Sequence, residues 1–383
     1  MTDKINVLHV CKTALPQSKG GIEVFIDALC NGTSKYDVEN TVLSLAKNPS
    51  PDPITMGNYT IYQAKQNLVI ASTGFSISAF PVFKKLAICA DIVHYHFPNP
   101  FADLLHCACR VNRPSIVTYH SDIVKQKKLR KLYKPLMYRF LGTVDHIVAT
   151  SPNYFVSSDV LHHFANKTSV IPIGIDITGY PKPNGERLVY WQNRLQQPFF
   201  LFIGALRYYK GLYIALDAIK GTKIQLAIAG INGVERELRL HAKKNNLHNV
   251  DFLGLVSDED KVALLHLCHG FVFPSHLRSE AFGISLLEAA SFGKPLISCE
   301  IGTGTSYINI HNETGLVVTP ASVHELRNAM QYLIDNPEKA TELGRNAKNR
   351  SKEFFTADKQ AKAYANLYRG LAGANEEKVT VLI

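Results

Sequence analysis

The sequence predicts an α/β protein of two doubly wound domains, with mainly parallel sheets covered by helices on both faces. Three observations carry that prediction. Short β-branched or aromatic runs alternate with helical segments through both halves of the chain, which is the grammar of βαβ units. A stretch rich in proline, glycine and polar residues, Ile175 to Glu186, separates the two series and is the expected linker. With 383 residues, 46% of them hydrophobic and 19% charged, the chain can build more than one core.

Ile5–Val10 reads as the first strand, and Lys19-Gly20-Gly21-Ile22 as the loop leading into a helix around Glu23–Leu29. Adjacent glycines let backbone approach a ligand closely and tolerate positive φ, so Gly20 and Gly21 are candidates to present amides to a phosphate or an acceptor. Asp91–Phe97, Ser115–Tyr119 and His146–Thr150 continue the first domain. His120 follows one of these strands directly, where a neutral imidazole can hydrogen-bond a ligand hydroxyl. His94 and His96 lie two apart on one strand face and, with no third ligand in view, read as structural.

Phe199–Ile203, Ile224–Ala229, Val250–Leu253, Gly270–Ser275 and Pro295–Cys299 supply strands to the second domain. After the first of them comes Gly204-Ala-Leu-Arg207-Tyr-Tyr-Lys210-Gly211, opening a helix at Leu212; two cations beside a helix N-terminus suit a diphosphate. Ser257-Asp-Glu-Asp260 reads as a capped, acidic first turn rather than a metal site. Glu280 and Glu288 bracket Ala281 to Leu287 at a strand-to-helix junction, one ahead of the helix and one in its second turn. Carboxylates so placed accept hydrogen bonds from vicinal hydroxyls, while the amides of Phe282 and Gly283 at the helix start can donate. Spacing alone leaves an ordinary surface pair open. The tail from Pro337 to Gly370 is helical in pattern.

Lysine and arginine number 42 against 32 acids, a net charge of +10 that favours anionic partners. No nucleic-acid module accompanies the charge, so nucleic acid is not an expected partner. The seven cysteines form no Cys-x2-Cys pair and read as reduced core residues of a cytoplasmic protein. No basic-then-apolar leader precedes Ile5, and the uncharged stretch from Gln66 to Phe83 is a poor membrane span. From Ile123 to Val144 there are seven cations (Lys125, Lys127, Lys128, Arg130, Lys131, Lys134, Arg139) and no acid. Leu129, Leu132, Tyr133, Leu136, Met137 and Phe140 recur at helical steps, so this segment reads either as a peripheral membrane helix on the cytoplasmic face or as a core-packed helix with a basic back, with Pro135 arguing for a kink or break.

The string from Phe273-Pro-Ser275 to Phe292-Gly-Lys-Pro295 resembles the Glu-x7-Glu segment of family 4 retaining glycosyltransferases. Gly204 to Gly211 resembles that family's Gly-x-Leu-x-x-x-Lys-Gly phosphate clamp, Gly20-Gly21 its glycine loop after the first strand, and His120 its strand-end histidine. The resemblance implies a GT-B fold: two Rossmann-like domains, 1–178 binding acceptor and 186–355 binding nucleotide sugar, facing each other across a cleft, with the last helix, about 356–371, returning to the first domain. It implies a donor diphosphate against Arg207 and Lys210, the sugar against Glu280, Ala281, Phe282 and Gly283, the ribose against Glu288, and Gly20 and Gly21 on the phosphate side; His120, Arg207, Lys210 and Glu280 form the implied catalytic set, with no cofactor and no metal.

One string departs from the pattern. In Glu300-Ile-Gly302-Thr-Gly304-Thr-Ser-Tyr307, a tyrosine stands where relatives carry a glutamate, which puts the donor contacts of that loop in question. This form is similar to that of bacterial O-antigen mannosyl- and rhamnosyltransferases, implying a GDP-sugar donor, GDP-mannose foremost, and a lipid-linked saccharide acceptor in lipopolysaccharide biosynthesis. A UDP-sugar transferase, a GT-B epimerase or phosphorylase, and a non-catalytic scaffold that binds nucleotide sugar at the membrane stand as alternatives.

Overall fold

Among the described residues, nine strands are buried or nearly so along their whole length, and the order in which they pair decides where loops rich in glycine and charge must gather. The computed structural model describes residues 4–18, 20–110, 112–123, 127–195 and 197–373, with the backbone alone for 127–130. The chain forms two units, Met1–Gly174 with Ala357–Ile383, and Ile175–Thr356.

The first unit holds β1 (Ile5–Val10), β2 (Val38–Ala46), β3 (Ile54–Met56), β4 (Tyr59–Lys65), the separate hairpin β5 (Leu68–Ile70) and β6 (Thr73–Phe75), then β7 (Ile92–Phe97), β8 (Ser115–Tyr119), β9 (His146–Ala149) and β10 (Thr168–Val170). Its sheet runs β10-β9-β8-β7-β1-β2-β4-β3. All neighbours are parallel except β3 and β4. Every residue of β7 and β8 is buried, as expected for central strands covered on both faces. The order reverses between β1 and β7, so the loops after those strands open on the unit's switch point.

The helix Ala357–Leu371 belongs to this unit and packs on the helix Gly21–Thr33, where a Cβ at Gly32 would lie 2.9 Å from that of Ala361. Its polar groups reach the sheet. The Tyr368 hydroxyl bonds His94 Nδ1 at 2.8 Å, the Tyr364 hydroxyl bonds Thr118 Oγ1 at 2.7 Å, and Gln360 Oε1 accepts from Gly174 N at 2.7 Å.

The second unit holds β11 (Phe199–Ile203), β12 (Gln225–Ala229), β13 (Val250–Gly254), β14 (Gly270–Phe273), β15 (Leu296–Cys299) and β16 (Gly315–Val318), all parallel in the order β13-β12-β11-β14-β15-β16. This is the dinucleotide-fold order, with its reversal between β11 and β14. The expected linker is not irregular throughout: a short turn at Ile177–Gly179 is followed by a helix from Gly185, capped by the Asn184 side chain.

Three further expectations are made more specific. The helix Lys127–Thr143 continues through Pro135 instead of breaking, since the proline is exposed and water can satisfy the carbonyl it leaves unpaired. Its second half is core: Met137, Phe140 and Leu141 are buried, whereas Leu132 is 80% exposed. Lys125 and the side chains of Lys127, Lys128, Leu129 and Arg130 lie outside the described residues. Cysteine burial is also uneven. Cys11, Cys30, Cys268 and Cys299 are buried, but Cys89 is exposed and Cys107 and Cys109 are half-buried. Among the described residues no helix is long and apolar enough to cross a membrane.

Candidate active site

The second unit's switch point brings together two loops that the sequence separates by about seventy residues, those following β11 and β14. They touch through backbone. Gly211 sits at φ +70, and a Cβ there would fall 2.0 Å from the carbonyl oxygen of Pro274. His276 N donates to Tyr209 O at 3.0 Å across the same seam.

Lys210, buried at 9% exposure, pairs through Nζ with the carboxylate of Glu280, itself 8% exposed, and lies 4.6 Å from the centroid of the Phe273 ring. Ser275 donates its hydroxyl to Glu280 Oε2 at 3.2 Å. Two opposite charges withdrawn from water hold each other in place, and each keeps bonding capacity that a ligand carrying both phosphate and hydroxyls can use. Arg207 stands apart: it is exposed and makes no ion pair among the described residues. Tyr209 lies between them, its hydroxyl pushed up to about 12 by burial and the nearby Glu280 charge, with Arg207 opposing.

Gly283 adopts φ +96 and caps the helix Ile284–Ser291, so the backbone turns sharply after Ala281-Phe282. The loop that departs from the family pattern buttresses this turn. Gly304 N donates to Ala281 O at 2.8 Å, and a Cβ on Gly304 would lie 2.8 Å from the Phe282 Cα. Glu300 fastens the loop from within, its Oε1 accepting from Gly302 N and Ser306 Oγ, each at 2.8 Å, while the Tyr307 carbonyl is held by Arg350.

Glu288 belongs to a different cluster from Glu280. It accepts from the Tyr180 hydroxyl and pairs with Lys261 Nζ at 3.0 Å, and Lys261 lies 4.4 Å from the Tyr180 ring centroid. Neither Tyr180 nor this use of Lys261 is marked by any local motif. Ser257 caps the helix Asp258–Leu267 by accepting from Asp260 N, and Asp260 bonds Arg187 and Trp191.

In the first unit, Gly20 has φ −119 and caps the helix Gly21–Thr33. Neither Gly20 nor Gly21 takes a positive φ. The Glu23 carboxylate lies over Gly20, its Oε2 2.5 Å from where a Cβ would stand, and its Oε1 accepts from Thr13. Lys19 lies outside the described residues. His120 follows β8, its N–H bonded to Phe97 O at 2.9 Å and its ring 4.8 Å from that of Phe25. Burial pulls its pKa down to about 3 and that of His9 down to about 4.

A third histidine, His9 of β1, joins His94 and His96. The ligating atoms of His9, His94 and His96 lie within 4.8 Å of one another, close enough for a metal. Each ring nitrogen of the three nonetheless has a hydrogen-bond partner in the protein.

These buried neutral rings make stability depend on pH. Their folded pKa values lie below the unfolded value of about 6.5, so the unfolded chain binds more protons between the two. Stability is complete above about pH 6.5 and falls as pH drops towards 4 and 3. At pH 5 a histidine held neutral costs about 2 kcal/mol. The urea midpoint of the first unit, followed between pH 7 and 5, should fall, and the fall should shrink in His9→Gln; an unchanged midpoint would place these rings in contact with solvent.

Comparison with known proteins adds to this geometry. Residues 19–178 match the family described as Glycosyltransferase Family 4, and residues 190–350 match Glycosyl transferases group 1. The chain is 54% identical over 353 residues to the D-rhamnosyltransferase WbpZ of Pseudomonas aeruginosa, covering 92% of this chain and 93% of the relative. It is 46% identical over 367 residues to the O-antigen chain mannosyltransferase C of Escherichia coli, covering 96% and 99%. Sucrose-phosphate synthase from Thermosynechococcus elongatus superposes with a TM-score of 0.81 at 21% identity, over 97% of this chain and 100% of that one. WaaG, a glycosyltransferase involved in lipopolysaccharide biosynthesis, does so with a TM-score of 0.71 at 16% identity, over 95% and 100%. At these identities the solved structures speak to fold.

Proposed function

The chain belongs to glycosyltransferase family 4 and has the GT-B fold, and on that premise we propose that it transfers mannose or rhamnose from a GDP-sugar to a lipid-linked saccharide in O-antigen assembly, with retention of anomeric configuration. The observation that carries this reading is the buried Lys210–Glu280 pair at the β11/β14 switch point. A nucleoside diphosphate entering there competes for Lys210 and releases the Glu280 carboxylate to accept from sugar hydroxyls. Arg207 supplies the second cation, and the N–H groups of Phe282 and Gly283 donate to the sugar.

Charge on the departing diphosphate is then met by fixed cations and two helix N-termini, the main catalytic term, and no protein nucleophile or metal is called upon. His120 accepts from a hydroxyl of the reacting sugars. The Glu23 carboxylate beside Gly20 makes that loop a better fit to saccharide hydroxyls than to a second phosphate. A lipid-linked acceptor suits peripheral attachment to the cytoplasmic face of the inner membrane, with Leu132, Lys131 and Lys134 exposed on one helix to supply it.

Nucleotide selectivity is the first test. In a thermal-shift panel GDP should stabilise the protein and UDP should not; the reverse result would move the donor to a UDP-sugar. Incubating the donor with and without lipid acceptor separates transfer from epimerase or phosphorylase chemistry. Absence of any nucleotide binding would leave a scaffold. Glu288→Ala should weaken GDP binding about tenfold, the loss of a charged hydrogen bond to ribose. Unaltered affinity by calorimetry would confine Glu288 to its bonds with Tyr180 and Lys261.

A further inference from the structure

Beneath His120 runs a chain of buried polar groups that reaches from β2 across β1 and β7 to the end of β8. Asn40 Oδ1 lies 3.0 Å from His9 Nε2, His9 Nδ1 3.2 Å from His96 Nε2, and His96 Nδ1 3.1 Å from His120 Nε2. His9, Asn40 and His96 are 0–2% exposed, and none of these groups enters the reaction proposed above.

The sense of this chain follows from its first link. Asn40 Nδ2 lies 3.0 Å from the carbonyl oxygen of Cys30, which can only accept, so the amide nitrogen must face that side and the amide oxygen must face His9. Thr33 Oγ1 reinforces the assignment: its proton goes to Leu29 O at 2.8 Å, leaving a lone pair for Asn40 Nδ2 at 3.0 Å. An amide oxygen also only accepts, so His9 carries its proton on Nε2. A ring this deeply buried stays neutral, which leaves His9 Nδ1 bare and obliges His96 to donate from Nε2. The same step repeats once more. His96 Nδ1 is bare, and His120 donates from Nε2.

We propose that the Asn40–His9–His96 chain locks His120 in the tautomer protonated on Nε2, so that its Nδ1 is a hydrogen-bond acceptor only and recognises a hydroxyl donor. His120 Nδ1 has no hydrogen-bond partner among the described residues, and the residue keeps 8% of its surface exposed at the end of β8. Asn40, His9 and His96 are positioning residues. The proposal rests on the reading of His120 as a group that meets a sugar hydroxyl, and it adds the polarity of that contact: a fixed acceptor favours a hydroxyl presenting its proton and rejects a ligand offering only a lone pair.

The test reads the tautomer without turnover. In protein labelled with 15N-histidine, long-range 1H–15N correlations at pH 7 should show His120, assigned by the signal lost in His120→Gln, with a protonated Nε2 and a bare Nδ1. A protonated Nδ1 or a doubly protonated ring would overturn the proposal. Asn40→Leu removes the acceptor that sets the sense, and should turn the single His120 tautomer into a mixture. Turnover should fall about tenfold in this variant, the worth of one well-formed hydrogen bond in the transition state, while GDP affinity is unchanged. A single unchanged tautomer in Asn40→Leu would remove Asn40 from the role, and if that variant does not fold the wild-type spectrum decides alone. The expected tautomer together with full turnover in His120→Gln would refute His120 in transfer yet leave the chain's polarity standing, so the two ideas fail separately.

Discussion

Lys210→Ala should lower turnover by about a hundredfold or more, the loss seen when a preorganised group aimed at developing charge is removed. The variant does two things at once, and they must be separated. Lys210 and Glu280 each have 11% of their side-chain surface exposed, so removing the lysine leaves a buried carboxylate without its counter-charge, a change that typically costs about 3–5 kcal/mol. Reduced activity could then reflect a poorly folded second unit. The double variant Lys210→Met with Glu280→Gln removes both charges and should recover most of the lost stability, because an isolated buried charge is what costs most. It should recover none of the turnover. Restored turnover in the double variant would mean that the pair matters for folding alone, and near wild-type turnover in Lys210→Ala would dismiss the cation from catalysis.

Much of this site was legible because its chemistry is local in sequence. Lys210 and Glu280 each follow a strand at the end of an unbroken apolar run, and such runs are easy to read when both faces of the strand are buried, as in β11 and β14. β2 escaped notice for the opposite reason. Its sequence Val-Glu-Asn-Thr-Val-Leu-Ser-Leu-Ala interleaves polar residues, and Asn40 is buried there with His9, Cys30 and Thr33 beside it to take its bonds. That partnership spans 31 residues and the His9–His96 contact spans 87, distances over which no local pattern carries information. The grip of Tyr180 and Lys261 on Glu288 was hidden for the same reason. The basic helix was ambiguous in sequence and is divided in structure, with Met137 and Phe140 in the core and Leu132 exposed.

Gly211→Ala should be among the most damaging single-methyl changes in the chain, and a second glycine makes the argument quantitative. Two costs act at Gly211. Its φ of +70 is left-handed, a conformation that costs an alanine about 1–2 kcal/mol, and its added Cβ would sit 2.0 Å from the Pro274 carbonyl oxygen, a backbone atom that cannot swing aside. Gly221 has the same φ of +70 with nothing within 4 Å of the added carbon, so Gly221→Ala pays the conformational cost alone. The difference between the two melting temperatures therefore measures the clash. At about 2–4 °C per kcal/mol for a unit of this size, Gly221→Ala should lower the midpoint by only a few degrees, and Gly211→Ala by distinctly more. Relief of the clash requires the loop after β11 to move away from the loop after β14, which separates Lys210 from Glu280, so GDP affinity should fall in Gly211→Ala and stay intact in Gly221→Ala. Equal losses at both glycines would show that the seam between the two loops yields readily, and that the pairing of lysine and glutamate does not depend on it.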